Sequence, residues 1–231
     1  MRIIDWHSHI LPNIDDGSSS IEESISLLKM LAEQGVGKVI ATPHFIADNV
    51  SVSNFIKKRN DSYNKLKAVC SEDLPEIVLG AEVEYYPGIS RLSELKELCV
   101  EKSRIMLLEM PISSWTEYTV KELIEISTAK NIILVLAHIE RYLKLQSSKT
   151  MERLMKSGIL MQVNASYFVE TCTKRKALSL LKNGNMHFLG SDCHNIASRP
   201  PNLGRAYEII KNKFGEDFVH QMNEYGRSML V

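Results

Sequence analysis

Eight imidazole and carboxylate side chains in this sequence fall at or just after the ends of short apolar runs: His7, His9, His44, Glu82, Glu109, His138, Asp192 and His194. An H-x-H pair in extended chain places both imidazoles on one side, and the segment Ser191-Asp192-Cys193-His194 does the same for its aspartate and histidine. Imidazole and carboxylate without thiolate suit manganese, iron or zinc in a catalytic multinuclear site better than a closed structural zinc site. A single histidine or glutamate at a strand end is usually an ordinary cap, and Glu109 before Met110-Pro111 could simply start a turn. It is the recurrence at one strand end after another that argues for a metal site.

Such residues meet only if the elements carrying them converge. Apolar, β-branched runs at 3–6, 38–42, 77–81, 105–108, 132–137, 159–163 and 186–190 predict seven strands, with helix-like segments in most gaps. The first helix is the clearest: Ser20 and Glu23 fit a capping box, Ile21, Ile25, Leu28 and Ala32 share a face, and Gly35 stands where a C′ glycine belongs. Segments 151–156 before Gly158 and 175–182 before Gly184 repeat that ending. Strand and helix in alternation imply a parallel sheet. Seven units in 231 residues predict one domain over 1–231, a seven-stranded α/β barrel whose C-terminal face collects all eight side chains. No glycine-rich phosphate loop follows a strand, so an open nucleotide-binding sheet has less to support it.

Composition narrows the class. Lys plus Arg and Asp plus Glu are both 28, so the excess of cations that drives nucleic-acid binding is missing. The longest apolar run, 132–137, is far short of the roughly 18 residues of a membrane span. With Met1-Arg2 leading straight into Ile3-Ile4-Asp5, the expectation is a soluble, untargeted cytoplasmic chain without membrane insertion. Cys70, Cys99, Cys172 and Cys193 lie far apart and read as free thiols. His187 and His220 stand outside the constellation and read as structural or surface residues.

The segment from His7-Ser8-His9 to Asp15-Asp16-Gly17, with Ala41-Thr42-Pro43-His44, Gly80-Ala81-Glu82, His138-Ile139-Glu140-Arg141 and Ser191-Asp192-Cys193-His194, resembles the polymerase and histidinol phosphatase (PHP) superfamily. Within it the pattern is most similar to the bacterial manganese-dependent protein-tyrosine phosphatases of capsule and exopolysaccharide clusters, from the first strand to about Arg199. The resemblance implies a distorted seven-stranded barrel and three divalent ions, manganese first among the candidates and iron or zinc the alternatives. It implies that His7, His9, Glu82 and Asp192 hold one ion, that Glu82, Glu109 and His138 hold the second, and that Asp16, His44 and His194 hold the third. Glu84 competes with Glu82 for the bridging place, and Asp15 with Asp16. Asp16, Arg141 and Arg199 are the expected catalytic residues, the two guanidiniums gripping the substrate phosphate. The implied partner is the phosphotyrosine tail of an autophosphorylating bacterial tyrosine kinase.

The expected chemistry is direct hydrolysis by a metal-activated water without a covalent phosphoenzyme, and a phenol leaving group, with a pKa near 10, makes few demands on an acid. Residues 193–199 also spell C-x-x-x-x-x-R, the spacing of cysteine-dependent tyrosine phosphatases, but no glycine frees the amides of that loop to cradle phosphate. A histidinol-phosphate phosphatase, a phosphodiesterase or nuclease, an amidohydrolase and a non-catalytic phosphotyrosine-binding module are the rival readings. Phe45, Tyr85, Tyr86, Trp115 and Tyr118 are expected to form an apolar rim that accepts the phosphotyrosine ring.

Overall fold

A computed structural model describes residues 2–230; the N-terminal reading begins at Met1, which lies outside them. The chain alternates strands and helices as β1 (Ile3–Ser8), α1 (Ile21–Glu33), β2 (Val36–Ala41), β3 (His44–Phe45), α2 (Val52–Lys67), β4 (Glu76–Leu79) and β5 (Glu82–Glu84). It continues through β6 (Ile105–Glu109), α3 (Glu117–Ala129), β7 (Ile133–Leu136), α4 (Ser148–Lys156), β8 (Leu160–Asn164), α5 (Ala165–Val169) and α6 (Lys174–Lys182). β9 (Phe188–Gly190), α7 (Leu203–Phe214) and α8 (Glu216–Ser228) complete it. Among the described residues no helix is long and apolar enough to cross a membrane.

Among the described residues there are nine strands where seven are predicted, because the short β3 and β5 follow just beyond two of the predicted runs. Thr42-Pro43 separates β2 from β3, and Gly80-Ala81 separates β4 from β5. The breaks divide the ladders into one sheet ordered β1-β2-β4 and another ordered β3-β5-β6-β7-β8-β9, every pairing within them parallel. Proline supplies no ladder donor, and at the second break the buried Arg59 of α2 donates from Nη1 to the Gly80 carbonyl at 2.8 Å. The sheet curls until the chain beyond β9 reaches β1: Ser8 bridges Cys193, Asp192 N donates to His7 O at 2.8 Å and His9 N donates to Cys193 O at 2.9 Å. Gly190 allows that closure, since a Cβ there would stand 2.5 Å from His7 Cβ.

Alternation along the strands sorts the side chains into two layers. One face, carrying Val39, Met106, Leu108 and Leu134, packs against the helices, which contribute Leu27, Leu28 and Leu31 of α1 to the same core. The other gathers Ile4, Trp6, Ile40, Ile105, Leu107, Val135 and Phe188, with Met229 and Leu230 packed on it and Trp6 stacked on Phe188 at 4.0 Å. Continuing towards the strand ends, this second face turns polar: Leu107 gives way to Glu109, and Leu160 to Gln162 and Asn164. Helix α1 starts and stops where expected, with Glu23 N donating to Ser20 Oγ at 3.1 Å and Gly35 in the left-handed region. The Glu23 carboxylate reaches one residue further back than a capping box requires, accepting from Ser19 N at 2.8 Å.

Candidate metal centre

The polar layer at the strand ends is a single cluster. His7 Nε2 and His9 Nε2 are 3.1 Å apart, and each lies close to Glu82 Oε2, at 3.1 and 3.2 Å. Asp192 Oδ1 stands 3.6 Å from both nitrogens. On the other side of Glu82, His138 Nε2 contacts Glu82 Oε1 at 2.8 Å and Glu109 Oε1 at 3.2 Å. His44 faces two ways, with Nδ1 3.2 Å from Glu82 Oε2 and Nε2 3.5 Å from Asp16 Oδ1, which is also 3.5 Å from His194 Nε2. Three overlapping groups therefore have ligand atoms within 4.8 Å of one another: His7, His9 and Glu82; His44, Glu82 and Glu109; His9, Asp16, His44 and His194.

Hydrogen bonds behind the cluster decide which atoms face inward. The Asp192 carboxylate can only accept, so Asn164 Nδ2 donates to its Oδ2 at 2.7 Å. That leaves Asn164 Oδ1 to accept from Gln162 Nε2 at 2.9 Å, and Gln162 Oε1 to accept from His138 N at 2.7 Å and from His7 Nδ1 at 3.2 Å. His7 Nε2 is then a bare lone pair. Asp15 does the same for His9, accepting from its Nδ1 at 2.8 Å while also holding His44 N at 3.0 Å. His194 Nδ1 donates to Asp192 O at 3.0 Å, and its buried Nε2 has no hydrogen-bond partner. His138 Nδ1 lies 3.2 Å from Tyr142 Oη, which accepts from Met110 N at 3.1 Å. A carboxylate or amide behind a histidine is the arrangement that orients a metal-ligating imidazole.

The charge balance argues for cations. Asp15, Asp16, Glu82, Glu109 and Asp192 converge, and among the described residues the arginine and lysine side chains ion-paired with them are Arg141 and Arg199, both on Asp192 Oδ2 at 3.0 and 2.9 Å. Burial would lower the His9 imidazole, yet hydrogen bonds to Asp15 and Glu82 outweigh it and lift it to about 10. Burial likewise opposes a charged His138, and Glu109 and Glu82 raise it to about 9. His194 goes the other way, pushed down to about 4 by burial and then by the charge on His9, so it keeps its lone pair. Without metal the crowded carboxylates thus hold protons on His9 and His138, and divalent cations that displaced those protons would meet the same oxygen and nitrogen donors, a set that suits manganese, iron or zinc.

A model of the CpsB/CapC family, described as capsular polysaccharide synthesis, matches residues 3–228 of the sequence. The chain belongs to the CpsB/CapC family. Curated relatives include the tyrosine-protein phosphatase CpsB of Streptococcus agalactiae serotype III (strain NEM316), 30% identical over 95% of this chain and 94% of its own length. CpsB of Streptococcus pneumoniae is 32% identical over 92% of this chain and 91% of its own. Among solved structures, one described as YwqE from Bacillus subtilis and CpsB from S. pneumoniae, unique metal-dependent tyrosine phosphatases, has the same fold with a TM-score of 0.84. It covers 99% of this chain and 94% of that one at 24% identity.

In this CpsB/CapC chain every residue expected at the site is drawn into one place, but by less regular backbone than the sequence implies. Asp192 and His138 have φ of 52° and 30°, left-handed conformations unfavourable for residues with a Cβ. Glu84 is exposed where Glu82 is buried, and Asp15, though more buried than Asp16, has both oxygens occupied by His9, His44 N and Gly17 N. The cysteine reading is at odds with this geometry. Cys193 is fully buried, burial pushes its thiol far up, and the amides of Ala197, Ser198 and Arg199 all donate to Asn195 Oδ1.

The aromatic rim is corrected in part, since Tyr118 is exposed and Tyr86 half-buried. Phe45 is buried edge-on against Phe55, Tyr85 Oη donates to Glu122 at 2.8 Å, and Trp115 lies on Tyr142 at 5.3 Å, so packing has claimed all three. His187 is structural as expected, accepting from Met161 N at 3.1 Å, and His220 is exposed. Gln162, Asn164, Asp15 as a support and Asn195 were not legible as site residues. The signal available for the first two was a Q-x-N alternation inside an otherwise apolar strand that offers no ligand of its own.

Proposed function

We propose that this CpsB/CapC chain is a metal-dependent tyrosine-protein phosphatase built on a distorted seven-stranded barrel. On that reading β2 with β3, and β4 with β5, each form one interrupted strand. The observation that carries it is the cluster itself: inward-facing ring nitrogens of His7, His9 and His194 beside Glu82, with two guanidiniums poised on its edge. His7, His9, Glu82 and Asp192 would hold one ion, Glu82, Glu109 and His138 a second, and Asp16, His44 and His194 a third, manganese being favoured. His44 Nδ1 is also within reach of the second group, lying 3.2 Å from Glu82 and 3.8 Å from Glu109. When bound, such ions supply Lewis acidity, lowering the pKa of water and neutralising charge on phosphoryl oxygens.

The chain's own residues do the rest. Arg141 and Arg199 are part-exposed, at 34% and 40%, so their guanidiniums can turn from Asp192 to a substrate phosphoryl group and bind it bidentately. Asp16, the most exposed carboxylate of the cluster, lies where solvent meets His44 and His194 and can take up a proton from water. A phenolate leaving group, with a pKa of about 10, departs without a strong acid, which favours aryl over alkyl esters. The proposed partner is the phosphotyrosine tail of a bacterial tyrosine kinase, which would place the work in the cytoplasm.

Phosphate release from a phosphotyrosine peptide, measured before and after chelation and with manganese restored, tests this. Activity lost with the metal, regained with manganese and retained in Cys193→Ser is expected. Activity indifferent to chelator but abolished by Cys193→Ser would sink it.

A further inference from the structure

Two cavities adjoin the cluster, and they differ in character. One, of about 570 Å³, holds both guanidiniums, Arg141 and Arg199, among polar neighbours such as Asn164, Ser198 and Asn202. The other, of about 650 Å³, shares Asp16, His44 and Glu109 with the cluster; Ile14, Ile46, Val50 and Phe55 form an apolar wall, and Asn49, Lys58 and Glu84 add polar lining. Ile14 and Phe55 are buried, and Ile46 and Val50 are half-buried. Phe55 is held from two sides, edge-on by Phe45 at 5.3 Å and by the Arg59 guanidinium 5.8 Å from its ring centroid. Lys58 Nζ donates to Ile14 O at 2.8 Å, tying α2 to the loop between β1 and α1. The cavity is therefore formed before anything enters it, with an apolar wall that faces ligand atoms of the metal cluster.

Resting on the phosphatase reading, we propose that this second cavity is the aryl subsite, taking the substrate's phenyl ring while the phosphoryl group lies over the cluster. Phosphoryl oxygens belong with the guanidiniums, and the remaining ester oxygen must carry its organic group away from them. The arginine-lined cavity has Tyr167, Val169 and Pro200 among mostly polar and charged residues, whereas the wall of Ile14, Ile46, Val50 and Phe55 is an apolar surface that removes a ring's faces from water. Selection for aryl esters then comes from residues of the β1–α1 loop, the β3–α2 segment and α2, and not from the aromatics of the other loops. A polar alkyl phosphate of similar size leaves that wall wet.

The test uses the manganese-loaded full chain and two phosphonates that cannot be hydrolysed, phenylphosphonate and methylphosphonate, titrated calorimetrically. The wild type is expected to bind the phenyl compound about tenfold tighter, equivalent to about 1.4 kcal/mol. Val50→Asn and Ile46→Asn should each shrink the ratio towards one, methylphosphonate binding in the same sample reporting an intact site. Equal affinities in the wild type, no binding of either phosphonate, or a ratio that survives both substitutions would overturn the subsite. Turnover separates the two readings: a phenyl preference with no hydrolysis of any phosphate monoester would keep the subsite and remove the phosphatase. Hydrolysis of aryl and alkyl phosphates without any phenyl preference would do the reverse.

Discussion

Gln162 contacts no other part of the chain through charge, yet one of its oxygens holds both the His7 ring and the His138 backbone. A leucine of similar size would remove that oxygen and orphan Asn164 Oδ1 on its other side. Because supporting partners of this kind typically govern metal affinity by about 10–100-fold, Gln162→Leu is expected to weaken manganese binding by that order. Calorimetric titration of the folded variant checks it, and an unchanged Kd would show that His7 needs no such support. At this scale the sequence was most informative about residues with distinctive chemistry. Histidines and carboxylates at successive strand ends are conspicuous. An amide on a strand is not, because the same residue types serve as ordinary exposed polar positions and only burial reveals their work. Phe45 and Trp115 misled for the complementary reason: an aromatic in a loop looks available until its packing partners are known.

The elements were legible as runs but not as pieces. Periodicity marked where each apolar run lay, but could not show that short strands resume beyond Pro43 and Gly80, nor that these offsets set how His44 and Glu82 enter the cluster. Ends of the helices were better specified, because Ser20 and Gly35 act locally. Closure of the sheet depends on a contact that no local pattern contains, the approach of β9 to β1 at Gly190. A methyl group there would meet His7 Cβ at 2.5 Å and His7 N at 3.0 Å, and backbone cannot step aside cheaply. Gly190→Ala is expected to cost about 3 kcal/mol. In a chain of this size that lowers Tm by roughly 6–12 °C. Calorimetric unfolding of the metal-free protein measures it, and a shift under about 2 °C would mean that the two strands are free to separate.

At the scale of the whole molecule, the proposed ions join strand ends that are otherwise linked only through neighbouring ladders. β1, β3, β5, β6 and the chain after β7 and β9 all send side chains into one cluster. An ion bound only by the native state stabilises it by mass action, about 2.7 kcal/mol at a free concentration one hundred times Kd. Manganese at that level should therefore raise Tm by roughly 5–10 °C, and chelation should reverse the rise. A Tm indifferent to manganese would separate the cluster from metal binding altogether. The curled parallel sheet was foreseeable from the alternation of strands and helices. Which side chains its far edges would bring together was not, since His7 and Asp192 are remote in sequence.

The bonds from Asp192 N to His7 O and from His9 N to Cys193 O have a consequence in time as well as in space. During synthesis the first histidines leave the ribosome long before their partners exist. Until the segment through Arg199 has followed them out, the cluster lacks two of its ligands-in-waiting and one of its guanidiniums. A nascent phosphatase of this design stays silent until the segment through Arg199 has emerged and folded back onto β1, so that activity itself reports the arrival of that segment.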